Sequence, residues 1–96
     1  MFKLTVHGRA AHAGLDPEKG ASAVLELARQ TVRLHAMNDL EKGTTVTVGT
    51  VRGGTHSNVM PAKAEGEIDV RFSSRELGLW IEQEILVSSL LMSARD

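Results

Sequence analysis

Apolar and polar residues alternate along three stretches of this chain, and between two of them apolar residues recur at helical spacing. Phe2, Leu4 and Val6 alternate with Lys3, Thr5 and His7, the period of a strand with one buried face. Thr44 to Arg52 is rich in Thr and Val and has the propensity of a second strand. Ala62 to Phe72 carries the cleanest signal. Ala64, Gly66, Ile68, Val70 and Phe72 form one face, and Lys63, Glu65, Glu67, Asp69 and Arg71 the other. A face so charged is solvated or meets a charged partner.

Asp16-Pro17 predicts a helix start, because Asp16 can accept from first-turn amides and Pro17 suits the first helical position. From there to about Met37, Val24, Leu27, Ala28, Thr31, Leu34 and His35 recur at helical spacing. Gly20 is unfavourable inside a first turn and predicts close backbone packing there. Asn38 to Gly43 is polar and closes the helix. Ser73-Ser74-Arg75-Glu76 reads as a capping box opening a second helix, which runs to about Ala94. Its apolar residues cover more than one stripe, so that helix wants a second partner.

Strand, helix, strand, strand, helix is the order of an α+β, ferredoxin-like two-layer sandwich that lacks its final strand. The expected sheet is antiparallel, with both helices on one face. A missing closing strand leaves the first strand unpaired at an edge, which favours self-association. Two routes are open: sheet extension through Thr44–Arg52, or helix packing near Leu86 and Leu90.

Composition narrows the function classes. The 96 residues suffice for a single domain spanning 1–96. A net charge of −1 leaves no electrostatic footprint for nucleic acid or an anionic membrane. With no cysteine, neither a disulfide framework nor a thiolate metal site is possible. No apolar run reaches the length of a membrane span and no signal-peptide layout precedes the first strand, so the expectation is a cytoplasmic protein. Met1 stands directly against strand-like sequence, as in a segment cut from something longer or one that begins abruptly.

Two polar loops hold the candidate chemistry. Gly53 to Pro61 is long for a hairpin connection and carries Thr55, His56, Ser57 and Asn58 between paired glycines and a proline. The other, Gly8 to Leu15, contains His12. A cluster of His7, His12 and His56 is conceivable as a metal site, but no His-Glu-x-x-His is present. His35 reads as a boundary residue. There is no Gly-x-Ser-x-Gly elbow and no phosphate-binding glycine motif. The strands lack the aromatics on which an RNA-binding sheet stacks bases. By themselves these residues describe an α+β domain with two polar loops, not an enzyme.

Two stretches add a resemblance. Val6-His7-Gly8-Arg9-Ala10-Ala11-His12-Ala13-Gly14, followed by Pro17-Glu18-Lys19-Gly20, is similar to the opening of the dimerisation (lid) domain of co-catalytic zinc exopeptidases. These are enzymes of the carboxypeptidase G and glutamate carboxypeptidase type, relatives of aminoacylase, acetylornithine deacetylase and succinyl-diaminopimelate desuccinylase. Gly53-Gly54-Thr55-His56-Ser57-Asn58-Val59-Met60-Pro61-Ala62, then Asp69-Val70-Arg71, resembles that domain's second signature.

The resemblance implies a lid separated from a catalytic domain that holds two zinc ions; the zinc ligands are not in this chain, and on its own it is expected to be inactive. It implies that His12 hydrogen-bonds the oxygen on which charge develops, that Asn58 holds the substrate, and that Arg71 binds a free carboxylate. It implies as partners a second copy, the parent catalytic domain and a small acyl-amino acid or peptide. The rival from another class is a stand-alone ferredoxin-like module that pairs with a partner through its sheet edge.

Overall fold

The computed structural model describes residues 1–15 and 17–72, with Leu79 and Gln83. Its elements are β1 (Phe2–His7), α1 (Ala23–His35), β2 (Thr45–Gly53) and β3 (Lys63–Arg71), with a short 3-10 turn at Pro17–Lys19. Apart from Leu79 and Gln83, the second helix expected from Ser73 to Ala94 lies outside the described residues, and with it the helix-packing route through Leu86 and Leu90.

The three strands form one sheet in the order β1-β3-β2, and both pairings are antiparallel. β1 and β2 therefore run parallel to each other on either side of β3, joined by the α1 crossover, as a split βαβ unit requires. α1 covers one face of the sheet. Leu4, Val6, Val46, Ala64 and Ile68 from the strands meet Ala23, Leu27 and Leu34 from the helix in a single buried cluster. Phe2, Met37, Val48 and Val70 pack around it. The alternation in β1 and β3 thus has its physical cause: only one face of the sheet is covered.

The opposite face is charged and laced by ion pairs. Lys3 and Lys63 both reach Glu65, at 3.3 and 3.1 Å, and Arg52 lies 3.7 Å from Glu67. Lys63 and Lys3 hydrogen-bond the Glu65 carboxylate and hold it below the usual carboxylate range. Phe72, expected on the core face, falls just past β3 and is exposed. A residue beyond the last ladder pair has no neighbouring strand to hold it against the helix.

Two expectations about α1 are corrected. The helix starts at Ala23, not at Asp16-Pro17: Ser22 takes the cap position and its hydroxyl accepts from the Leu25 amide at 3.1 Å. Pro17 instead opens the 3-10 turn. The buried stripe is Ala23, Glu26, Leu27, Gln30 and Leu34, while Val24, Ala28 and Val32 face outward. Gly20 bears out the predicted close packing. A Cβ there would sit 2.7 Å from Met60 Sδ and 2.8 Å from Ala11 Cβ.

In β2 the register shifts at Gly49: Val48 opposes Ile68, and Thr50 opposes Glu67. One extra residue reverses the alternation. Val51 thereby stays on the helix face, opposite Gly66, and Arg52 joins the charged face, opposite Glu65.

The outer edge of β2 is covered over its first half by the end of α1. Asn38 docks there as a peptide group would. Its carboxamide donates to Val46 O at 2.9 Å and accepts from Val46 N at 2.7 Å, while also donating to His35 O. His35 Nε2 accepts from Val48 N at 2.9 Å, and Asp39 exchanges two backbone bonds with Thr44. His35 is thus more than a boundary residue. Asn38→Ala removes three hydrogen bonds and orphans both backbone groups of Val46, whose side chain is fully buried. It is expected to cost about 1–3 kcal/mol, read as a fall in melting temperature of the 96-residue chain of about 4–8 °C per kcal/mol.

Candidate functional site

The loops 8–22 and 54–62 meet beyond the end of the sheet where β1 finishes and β3 begins. Gly8 N donates to Ala62 O at 2.8 Å, Met60 N to Ala11 O at 2.8 Å and Ala13 N to Asn58 O at 2.9 Å. His12 and Val59 face each other in this short antiparallel bridge. Arg9 and Ala21 exchange two bonds of 2.9 Å and close the first loop at its base. Ala23 N, the first residue of α1, donates to Pro61 O at 2.9 Å. The second half of the long 54–62 connection, from Asn58 to Ala62, is therefore tied to the histidine loop and to the start of α1, while Gly54 to Asn58 stay exposed. Gly54, at φ 91, makes the turn into the connection.

His12 is exposed, yet its ring is oriented. Gly14 N and Leu15 N both donate to Nδ1, at 3.1 and 3.2 Å. A ring nitrogen that accepts carries no proton, so these two bonds assign the neutral tautomer with its N–H at Nε2. The imidazole therefore presents one outward donor, fixed by its own backbone. Sequence reasoning missed these two amides; their only trace is the tight run of small residues Ala13-Gly14 after His12.

Asn58 sits across the bridge, with an exposed side chain. The 54–62 loop and the adjoining ends of β2 and β3 form an open hollow of about 460 Å³, lined by Val59, Met60, Ala62, Arg52 and Glu65, with Ala10 from the first loop. Tertiary backbone bonds thus bring the segments carrying His12 and Asn58 to the same end of the sheet.

Arg71 is not brought to them. It lies at the last position of β3, whereas the loops adjoin the first, Lys63. Eight residue steps of about 3.3 Å put roughly 26 Å between those two ends. Arg71 projects on the charged face, where its Nε lies 3.0 Å from Asp69 Oδ2. The two side chains are 80% and 55% exposed. An ion pair so exposed is weak enough for an incoming carboxylate to displace.

The three-histidine cluster does not form. His7 is on β1 opposite Lys63 and His56 is in the turn before Val59. Among the described residues no three His, Cys, Asp or Glu side chains group as metal ligands would. No described helix is long and apolar enough to cross a membrane.

A family described as the peptidase dimerisation domain matches residues 1–86. Among curated proteins, a p-aminobenzoyl-glutamate hydrolase chain of Escherichia coli is 37% identical over 81 residues, covering 83% of this chain and 19% of that protein. A probable carboxypeptidase of Aspergillus flavus is 39% identical over 85 residues, covering 76% of this chain and 20% of its own length. Indole-3-acetyl-aspartic acid hydrolase of Enterobacter agglomerans is 35% identical over 81 residues, covering 83% and 19%. The chain spans about a fifth of the length of these relatives. Among solved structures, the aminobenzoyl-glutamate utilization protein from Klebsiella pneumoniae superposes with a TM-score of 0.85 at 29% identity. That match covers 96% of this chain and 24% of the other.

Proposed function

Because the chain belongs to the peptidase dimerisation domain family, we propose that it is the lid of a longer hydrolase that cleaves an amide next to a free carboxylate. In this reading its site is shared between two copies. The observation that carries the sharing is the separation on β3: His12 and Asn58 at one end, Arg71 at the other. A small acyl-amino acid cannot span that distance. It can be held when a two-fold axis brings Arg71 of one copy toward His12 and Asn58 of the next. The stand-alone interaction module is not favoured, since the relatives matched over this segment are hydrolases.

Each residue then has a task. The Nε2–H of His12 donates to the amide oxygen as charge builds on it, an interaction strongest in the transition state. The Asn58 carboxamide can orient the amide through its donor and acceptor. The Arg71 guanidinium matches a carboxylate in a two-pronged fit. Two of the relatives are named for acyl-glutamate and acyl-aspartate amides, which carry such carboxylates. The described residues do not fit a zinc site, so zinc, which would activate the attacking water, belongs in this proposal to the parent's catalytic domain.

Two variants test the sharing in the full-length enzyme. Arg71→Ala alone is expected to raise KM far more than it lowers kcat, since a carboxylate clamp acts in ground and transition states alike. Assayed at substrate far below the Arg71→Ala KM, where neither variant alone turns over appreciably, mixing His12→Ala subunits with Arg71→Ala subunits should restore activity. Each mixed dimer then has one doubly mutated site and one intact site, giving roughly a quarter of wild-type turnover after random exchange. If all three residues act within one chain, no mixed site is intact and nothing is regained.

A further inference from the structure

The hollow beside the 54–62 loop combines an apolar wall with one loosely held cation. Resting on the hydrolase reading above, we infer that Arg52 and this hollow form a subsite for a second carboxylate of the substrate, carried on a short apolar stem.

Strand alternation alone would not place Arg52 there. Val46 and Val48 meet the core, and counting on by twos would turn residue 52 to the helix face. The extra residue at Gly49 reverses the faces, so Arg52 stands on the charged face opposite Glu65. There it lines the hollow of about 460 Å³ together with Val59, Met60 and Ala62. Thr55 and Val59, on either side of Asn58 in the chain, both border it, and Val59 faces His12 across the loop bridge. The hollow therefore adjoins the segments assigned to the scissile amide.

Charge decides the ligand. Glu65, also on the wall, is already taken: Lys63 and Lys3 reach it at 3.1 and 3.3 Å and hold its carboxyl below the usual range. Arg52 is held more loosely. Its guanidinium lies 3.7 Å from Glu67, beyond hydrogen-bond distance, and the two side chains are 72% and 40% exposed. Three cations, Lys3, Arg52 and Lys63, meet two carboxylates, Glu65 and Glu67, so this patch keeps one positive charge. An incoming carboxylate can take the fork of Arg52 readily, because so exposed a pair contributes little. Val59, Met60 and Ala62 offer apolar surface to the methylenes that carry it. A glutamate side chain has that form, and so does a dicarboxylic acyl group. Arg71 takes the carboxylate next to the amide in the reading above, and Arg52 adds selection for the second.

The full-length hydrolase is assayed on N-benzoyl-glutamate, on N-succinyl-alanine and on N-benzoyl-alanine, the reference that lacks a second carboxylate. Arg52→Gln is expected to lower the kcat/KM ratio of a dicarboxylic substrate to the reference about tenfold or more, mainly through KM. A fall confined to N-benzoyl-glutamate assigns the subsite to the amino-acid side chain, and one confined to N-succinyl-alanine assigns it to the acyl group. Arg52→Lys should recover part of the ratio, since the charge remains and the fork is lost. Glu67→Gln removes the competing carboxylate and should lower KM for the same substrate. An ion pair that served only the fold would make Arg52→Gln and Glu67→Gln act alike on all three substrates. That result, or an unchanged ratio in Arg52→Gln, overturns the subsite and leaves the hydrolase reading standing. Turnover of none of the three by the wild type overturns both.

Discussion

His12→Ala, made in the full-length zinc hydrolase proposed above, is expected to lower kcat about a hundredfold or more while leaving metal content and KM close to wild type. The size follows from what the ring does. Its Nδ1 is occupied by the amides of Gly14 and Leu15, so the only hydrogen it can offer is on Nε2. A neutral donor aimed at an amide oxygen contributes little while that oxygen is uncharged and much once charge develops. The loss therefore falls on kcat, and kcat/KM should drop in equal proportion. Ala is small and the site is exposed, so folding should not suffer. Steady-state kinetics with metal analysis on the same preparation is the check. Full activity in the variant would remove His12 from the chemistry, and lost zinc would mean that the substitution acts through the metal site.

Gly8→Ala is expected to destabilise the fold by about 1–3 kcal/mol through overpacking and to displace the loop that carries His12. A Cβ at Gly8 would collide with Ala21 O and lie 3.0 Å from Ala23 N. Both are backbone atoms, so no rotamer change relieves the contact. The strand end, the Arg9–Ala21 pair and the start of α1 must separate together, and the bond from Gly8 N to Ala62 O is strained with them. Gly49→Ala is the control. A Cβ there meets nothing within 4 Å and its φ is not positive, so its effect should be small. Urea unfolding of the two variants separates overpacking from a general intolerance of glycine replacement. Faster amide exchange at Arg9 and Ala21 in Gly8→Ala would place the damage in the loop. Equal stability of the two variants would refute the close approach.

Much of the architecture was legible because burial writes itself locally. In β3 every second residue meets α1 and the others meet solvent, so Ala64 to Val70 alternate with charges whatever the rest of the chain does. The same holds for β1, and the order of elements then led to the sheet. Where two local signals compete, the sequence could not arbitrate. Asp16-Pro17 and Ser22 can each cap a helix. The choice of Ser22 follows from tertiary facts, namely Gly20 pressed against Ala11 and Met60 and Ala23 N bonded to Pro61 O. The phase change at Gly49 was equally hidden, because an inserted residue leaves the propensity of the strand unchanged while reversing its faces.

The site divides in the same way. Residue types alone offered two polar loops and four histidines, and only a resemblance nominated His12, Asn58 and Arg71. The bonds that set His12 against Val59 connect positions far apart in the chain, and the length of β3 that holds Arg71 away from them is a property of the folded sheet. Periodicity depends on neighbours a few residues away, so the sequence by itself determined the order of β1, α1, β2 and β3 and the buried faces of β1 and β3. Loop lacing, the covered half of the β2 edge and the distance between candidate groups depend on contacts that exist only after folding. Those the tertiary structure decided.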